Sequence, residues 1–410
     1  MKIPEFKLLY LAVVILTGTR GYRRVRNELW RLSKSIINPI KFPVLCYLES
    51  YAQAGKSFEI INTWSCNSIF NDCIKIQKIR ILYFSGKYQS CISLIDKCNE
   101  LNRELKYLKS DCLLKLGQKN KAIKILTSSD LLKNEKTWLK LANLVDGEKE
   151  FSAYKMLFNA HKPDKIEHYV LAAKRAGQYS EAIEALKKIT LNNTQNKIGT
   201  YKIKGKINQT LAEKALKDIL NLLKSKNIKC FAISGTLLGL VRDKKIIPYD
   251  NDIDIGVMGI ENYERVYSFV EDCEFFSVLP KRTNKTLRVR HINGTPIDIF
   301  FHWSENGMIW HGGVKVDWWN TPFNFTKIKI KDFNVLIPMN FDLYLRENYG
   351  NWKVVVEDFD SAIDTPNHKL FNRFELMIHC LEQINRLSGE NKSFKRYIEL
   401  LNKLEQSENE

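Results

Sequence analysis

Through the first half of the chain, apolar residues recur three and four positions apart in short blocks. Ala122-Ile123-Ile125-Leu126 is an example, with the spacing of one face of an α-helix, and Ile81-Leu82-Tyr83-Phe84 and Cys112-Leu113-Leu114 are helix-like apolar stretches that alternate with such blocks. Between the blocks stand Gly55, Gly86, Gly117, Gly147 and Gly177, spaced 31, 31, 30 and 30 residues apart. Glycine accepts positive φ without steric cost, so each predicts a tight turn between two helices. From Leu191 the text turns polar, predicting a linker over 191–206. Leu211 to Leu223 then reads as an amphipathic helix and Ile228 to Ile233 as a short buried strand. After that the period changes from helical to two: Asp252-Ile253-Asp254-Ile255 and Ile297-Asp298-Ile299 alternate polar and apolar, as half-buried strands do.

A period near 30 with two helices per unit predicts an α-solenoid over 45–190, similar to tetratricopeptide repeats but with a clipped unit. At 410 residues and 44% hydrophobic positions the chain is globular and long enough for two or three domains. Its formal charge of +18 is unevenly placed: residues 1–200 hold 34 basic and 18 acidic side chains, leaving 30 and 28 for the remainder. The charge therefore describes the repeat half. It favours docking on an anionic polymer, an anionic membrane surface or a protein partner, with lysines that merely solvate helix faces as the alternative. RNA is a less favoured partner. Residues 1–44 form a basic segment in which an apolar stretch precedes Arg20, Arg23, Arg24, Arg26 and Arg31; it reads either as an interfacial helix or as the first cap of the solenoid. No apolar run reaches the roughly 20 residues needed to cross a bilayer. Nine scattered cysteines without a C-x-x-C pair read as reduced thiols, so a cytoplasmic protein is expected, with peripheral attachment to the inner face of the plasma membrane as an extension.

The chemistry is concentrated between Ile233 and Ile299. A strand that ends in Gly235-Thr236 and runs into a helix offers backbone N–H groups to phosphate oxygens. Period two puts Asp252 and Asp254 on one strand face about 6–7 Å apart along the backbone, with the isoleucines turned inward. Two hard oxygen ligands there predict a divalent-metal site for Mg²⁺ (or Mn²⁺); a solvent-facing acidic edge strand is the bland alternative. Asp298, in a second buried strand, is the expected third carboxylate. Three strand carboxylates behind a Gly-Thr turn have the layout of nucleotidyltransferase-fold enzymes, so the expected fold class is an α-solenoid followed by a mixed-sheet α/β catalytic domain over 207–385, with a C-terminal helix and acidic tail over 386–410.

The motifs G-T-L-L-G-L-V-R, I-I-P-Y-D-N-D-I-D-I-G and I-D-I-F resemble those of the fukutin, fukutin-related protein and LicD family. Tyr344-Leu345 and Tyr349-Gly350-Asn351-Trp352 resemble the family's closing motif, although Gly350 and Trp352 are only two apart here. Asn251 stands where an acid is more usual. The resemblance covers roughly residues 207–370 and implies transfer of a phosphorylated small group, such as ribitol phosphate, glycerol phosphate or phosphocholine, from a CDP-activated donor to a hydroxyl of a glycan or lipid-linked glycan. It implies that Asp252 and Asp254 hold the metal and that Asp298 completes its shell or serves as base. Gly235 and Thr236 would cradle phosphate, and Arg242 would neutralise the leaving cytidine phosphate. Asp250 is read as orienting the turn rather than as a ligand. Arg288 and Arg290, one period apart on a strand, are expected either to hold a donor phosphate or to form a solvated edge. Trp303, Trp310, Trp318 and Trp319, with His302 and His311, are read as packing in preference to stacking on a base or sugar. Two other readings stand beside this one: a nucleotidyltransferase proper, moving NMP to a small molecule or RNA, and a helical-repeat adaptor with a degenerate enzyme domain.

Overall fold

The computed structural model describes Ile79, Leu82, Tyr83 and residues 86–98, 101–195 and 207–406, apart from 274, 292, 357 and 388–391. The basic segment 1–44, the Gly55 turn and most of the expected linker lie outside the described residues. The chain divides into two compact units, one ending at Thr137 and one beginning at Trp138.

The helices that precede the sheet are α1 (Tyr88–Asp96), α2 (Arg103–Lys115), α3 (Lys119–Leu126), α4 (Ser129–Leu132), α5 (Glu135–Asn143), α6 (Glu148–His161), α7 (Ile166–Arg175) and α8 (Tyr179–Gln195). Their turns follow the glycines closely. Gly86, Gly117 and Gly177 have φ of 71°, 71° and 72°. At Gly117 the glycine N–H reaches Leu114 O and the Gln118 N–H reaches Leu113 O, at 3.0 and 2.8 Å. The same pair of bonds recurs at Gly86 and Gly177, so α2 and α7 end on one Schellman closure that satisfies their last carbonyls, and at Gly86 the matching bonds reach Tyr83 and Leu82. Gly147 departs from the expectation. Its φ is −175°, an extended conformation open to any residue, and it stands at the N-cap of α6 instead of closing a helix.

In the second unit, α9 (Gln209–Ser225) begins at Asn208, whose side chain accepts the Leu211 N–H at 3.1 Å. Ala212, Ala215, Leu216, Ile219 and Leu223 recur at helical spacing and are all fully buried. There follow β1 (Cys230–Ala232), the one-turn helix α10 (Ser234–Leu238), a π-helical turn at Gly239–Asp243, β2 (Ile253–Met258), α11 (Tyr263–Glu271), β3 (Phe276–Val278), β4 (Thr286–His291), β5 (Pro296–Glu305), β6 (Met308–Gly312), β7 (Val316–Asn320), β8 (Phe325–Ile330), β9 (Phe333–Pro338), α12 (Phe341–Tyr349), β10 (His368–Leu370), α13 (Arg373–Arg386) and α14 (Lys392–Gln406). The main sheet runs β1-β2-β5-β6-β7-β10, with β4 also on β5 and β3 on β4; β8 and β9 form a separate hairpin. Only β2 and β5 pair in parallel, so the sheet is mixed.

That parallel pair is the centre of the core. Ile253, Ile255, Ile297 and Ile299 point to one side and are fully buried, with Leu287 and Val289 of β4 beside them. The hairpin covers β1 through Phe325, whose ring centroid lies 4.9 Å from that of Phe231. Gly256 sits where Phe231 and His302 close on β2: a Cβ there would fall 2.5 Å from Phe231 Cζ and 2.7 Å from His302 Cε1. Neither ring is a flexible chain end. Gly256→Val is therefore expected to cost about 1–3 kcal/mol in chemical denaturation, the usual range for overpacking. An unchanged midpoint would show that the two rings yield freely.

Candidate metal and phosphoryl-transfer site

Strand pairing places the carboxylates. Asp254 on β2 is directly opposite Asp298 on β5, and Asp298 is directly opposite Arg288 on β4. Directly opposed residues share a sheet face, so the three form a row across three strands, on the side away from the isoleucines. Asp252 stands just before β2. The compact carboxylate group is Asp250, Asp252 and Asp254, with one oxygen of each within 4.8 Å of the others. Asp298 stands outside that group, one strand away. Asp250 is thus one of three clustered carboxylates that could hold a metal ion, besides its expected place at the turn. The alternation Asp250-Asn251-Asp252-Ile253-Asp254 carries this signal in the sequence, since three acids at period two can face one way.

The Gly-Thr turn acts on the aspartates themselves. Thr236 is buried, and its Oγ accepts the Asp254 backbone N–H at 2.9 Å. The Gly235 N–H is hydrogen-bonded to the Asp254 carboxylate. A Cβ on Gly235 would lie 2.1 Å from Asp250 Oδ2 and 3.7 Å from Asp254 Oδ2, so this position lets two carboxylates approach the backbone. The helix that follows is a single turn, and the expected phosphate cradle is instead a cradle for Asp254 and Asp250. Ser234, which the sequence does not single out, takes φ of 47° to make the corner between β1 and α10.

Arg242 also has other partners. Its Nε and Nη2 donate to the two oxygens of Asp243 at 2.9 and 3.0 Å, and Nη2 donates to the Tyr249 hydroxyl at 3.0 Å. The guanidinium edge formed by Nε and Nη2 is thus engaged by Asp243. Arg288 and Arg290 are both exposed on β4. Arg288 is the one aligned with the carboxylates, whereas Arg290 is paired with Pro296 at the start of β5.

Electrostatically the site is strained by its own charge. Burial, and then the charges of Asp252, Asp250 and Asp298, push the Asp254 carboxyl well above the usual range against the single Gly235 hydrogen bond. Burial, and then Asp252, push Asp298 up to about 7, with Arg288 opposing. Two phenols of α12 adjoin. Burial and the charge of Asp254 raise both Tyr344 and Tyr349, and the buried Tyr344 hydroxyl has no hydrogen-bond partner among the described residues. Nothing in the local sequence marks these tyrosines as neighbours of Asp254. A crowded, all-oxygen set whose members repel one another fits a hard divalent cation such as Mg²⁺ or Mn²⁺. The aromatic cluster after Asp298 is packing in part: His302 and His311 stack at 4.6 Å and are buried, and Trp318 stacks on His311 at 5.3 Å.

Residues 227–342 match the sequence profile described as LicD/FKTN/FKRP, nucleotidyltransferase domain. Over 206 residues the chain is 27% identical to ribitol-5-phosphate transferase FKTN of Mus musculus, which covers 46% of this chain and 42% of that protein. The human protein of the same name is 26% identical over 174 residues, 38% of this chain and 36% of that one. An uncharacterized protein of Rickettsia prowazekii is 47% identical over 70 residues, 17% of this chain and 25% of that one. The chain thus spans less than half the length of each of these relatives.

Two outcomes test this geometry. Gly235→Ala should leave the fold intact but weaken Mn²⁺ binding, read by water-proton relaxation, because the new methyl displaces the Asp250 carboxylate; unchanged affinity would remove Asp250 from the ligand set. The second concerns pH. Asp298 is raised in the folded state, so between its ordinary value near 4 and about 7 the folded protein holds a proton that the unfolded chain has lost, and stability falls as pH rises through that window. In chelator, Asp298→Asn should therefore gain on the wild type in thermal unfolding between pH 5 and pH 8. A pH-independent difference would contradict the assignment.

Proposed function

The chain belongs to the LicD/FKTN/FKRP family through residues 227–342, and from that premise we propose that it is a metal-dependent phosphotransferase acting on a glycan. The donor in this reading is a CDP-activated alditol or choline, and the acceptor is a sugar hydroxyl of a surface or lipid-linked glycan. The observation that carries the proposal is the Asp250, Asp252 and Asp254 cluster with Asp298 beside it on the parallel strand.

Asp250, Asp252 and Asp254 would hold the cation. When bound, Mg²⁺ or Mn²⁺ supplies charge neutralisation at the donor's diphosphate oxygens. Asp298 stands outside the compact cluster and titrates near neutrality, which suits it to accept the proton of the attacking hydroxyl. The acceptor oxygen then bonds to the phosphorus that carries the cargo, the bond from that phosphorus to the oxygen of CMP breaks, and CMP leaves. Arg288, aligned with Asp298 and exposed, is placed to contact a donor phosphate. Thr236 and Gly235 keep Asp254 in register, which makes them positioning residues for the metal ligand.

The helices before the sheet are read as helical-hairpin repeats of a solenoid, supported by the matching closures at Gly86, Gly117 and Gly177, which lie one and then two repeat lengths apart. In this reading the basic repeats dock the enzyme on its anionic acceptor or on a membrane surface, and its place is the cytoplasmic side. Among the described residues no helix is long and apolar enough to cross a membrane.

The decisive experiment is an Asp252→Asn plus Asp254→Asn variant, assayed for Mg²⁺-dependent release of CMP from CDP-ribitol, CDP-glycerol and CDP-choline with a glycan acceptor. Loss of at least about 10³ in rate is expected, the scale of losing a metal that stabilises transferring phosphoryl charge. Full retention would sink the proposal. A nucleotide left on the acceptor, seen by product mass, would replace it with nucleotidyl transfer.

A further inference from the structure

Beside Asp298, on the side of Arg288, the second unit has a cavity of about 300 Å³ that opens to the surface. Its walls combine β4 and β5 with three elements that the family match either leaves out or shares only in part. Lys174 comes from α7, Glu375, His379 and Glu382 from α13, and Lys315 from the loop between β6 and β7. All the flanking residues except Lys315 lie outside 227–342.

Lys315 is the unusual member. Burial disfavours its charged form. Among the described residues its Nζ has one hydrogen-bond partner, His379 Nδ1 at 3.3 Å. His379 Nε2 lies 2.6 Å from Asp360 Oδ2, and Asp360 also accepts from the Tyr397 hydroxyl at 2.8 Å and from the Ala362 N–H at 3.0 Å. Burial by itself would raise the Asp360 carboxyl, but the hydrogen bond and charge of His379, the charge of Lys315 and the Ala362 N–H hold it well below the usual range. The contact with His379 Nδ1 engages one of the three N–H groups that a Lys315 ammonium carries at the cavity wall. A buried ammonium in that state is costly unless a ligand completes it. Lys174 and Arg282 add positive charge, and the buried Glu375 is ion-paired to both, at 3.2 Å from Lys174. Glu382 stands 3.6 Å from Lys174 and is partly exposed.

We infer that this cavity is a subsite for a phosphorylated polyol or sugar, with Lys315 at the phosphoryl group and the Glu375 and Glu382 edge accepting from ligand hydroxyls. Cations opposite carboxylates suit a ligand that is anionic at one end and hydroxylated at the other. The phosphate comes either from the donor's cargo or from an acidic acceptor. The inference rests on the transferase reading only for that choice of source, since the subsite uses neither the metal cluster nor turnover.

The test is calorimetry on the full chain in chelator, with glycerol 3-phosphate and glycerol as paired probes. Glycerol 3-phosphate should bind saturably and glycerol should not, and Lys315→Gln should weaken binding by about tenfold or more, the scale of one charged hydrogen bond. Absence of binding, or equal binding by the variant, would overturn the proposal. If Lys315→Gln does not fold, the wild-type protein decides through its histidine ring nitrogens. Glycerol 3-phosphate should shift the His379 signals and leave those of His302 in place, and an unmoved His379 would overturn the assignment. Adding CDP-ribitol with Mg²⁺ to the loaded protein identifies the source: displacement assigns the subsite to the donor, and simultaneous binding assigns it to the acceptor. Because the binding arms need no catalysis, they can succeed where the transferase reading fails, and the reverse.

Discussion

The parallel pairing of β2 with β5 sets Asp254 against Asp298, and the core of the second unit is built so as to hold that arrangement. Two like charges on adjacent strands repel, and burial makes the repulsion worse. The opposing force is apolar. Ile253, Ile255, Ile297 and Ile299 alternate with the two aspartates and are fully buried, so sliding either strand by one residue would turn isoleucines outward and carboxylates into the core. Register is thus enforced by the side of the sheet that has no chemistry.

The local turn does a second share of the same task. The Gly235 N–H and the Thr236 hydroxyl are both hydrogen-bonded to Asp254, one to its carboxylate and one to its backbone. The missing Cβ of Gly235 leaves room for Asp250. A motif that looks like a phosphate grip in one dimension therefore preorganises the clustered carboxylates in three. Arg242 illustrates the converse: its neighbour Asp243 engages it two-fold, and Arg288, fixed opposite Asp298 by strand pairing, is the arginine that faces the carboxylates.

Around this core, helices from distant parts of the chain complete the second unit. Tyr179 on α8 stacks on Phe374 of α13 at 5.6 Å and 9°, and Thr190 and Asn385 are hydrogen-bonded at 3.0 Å. The same packing carries Lys174 and His379 to the wall beside Asp298. The sheet that bears the aspartates is in this way given a cavity to whose lining Lys174, Glu375, His379 and Glu382 come from outside residues 227–342, and such flanking positions can change without disturbing the carboxylate cluster.

Periodicity alone was enough to determine the change from helices to strands near residue 230, the helix after Asn208, the strand faces bearing Asp254 and Asp298, and the positive-φ turns at Gly86, Gly117 and Gly177. Each depends on neighbours within a few residues, where side-chain spacing and backbone sterics act directly. Gly147 failed that reading because glycine is also accepted at a helix start, and local sequence does not separate the two uses. What only the tertiary structure decided was partnership. Asp250 joined the carboxylate cluster, Asp243 engaged Arg242, Tyr344 and Tyr349 came to adjoin Asp254, and Lys315 met His379 and, through it, Asp360. Those contacts join residues through strand register and helix packing, and a charged side chain takes whichever partner the folded chain brings within reach.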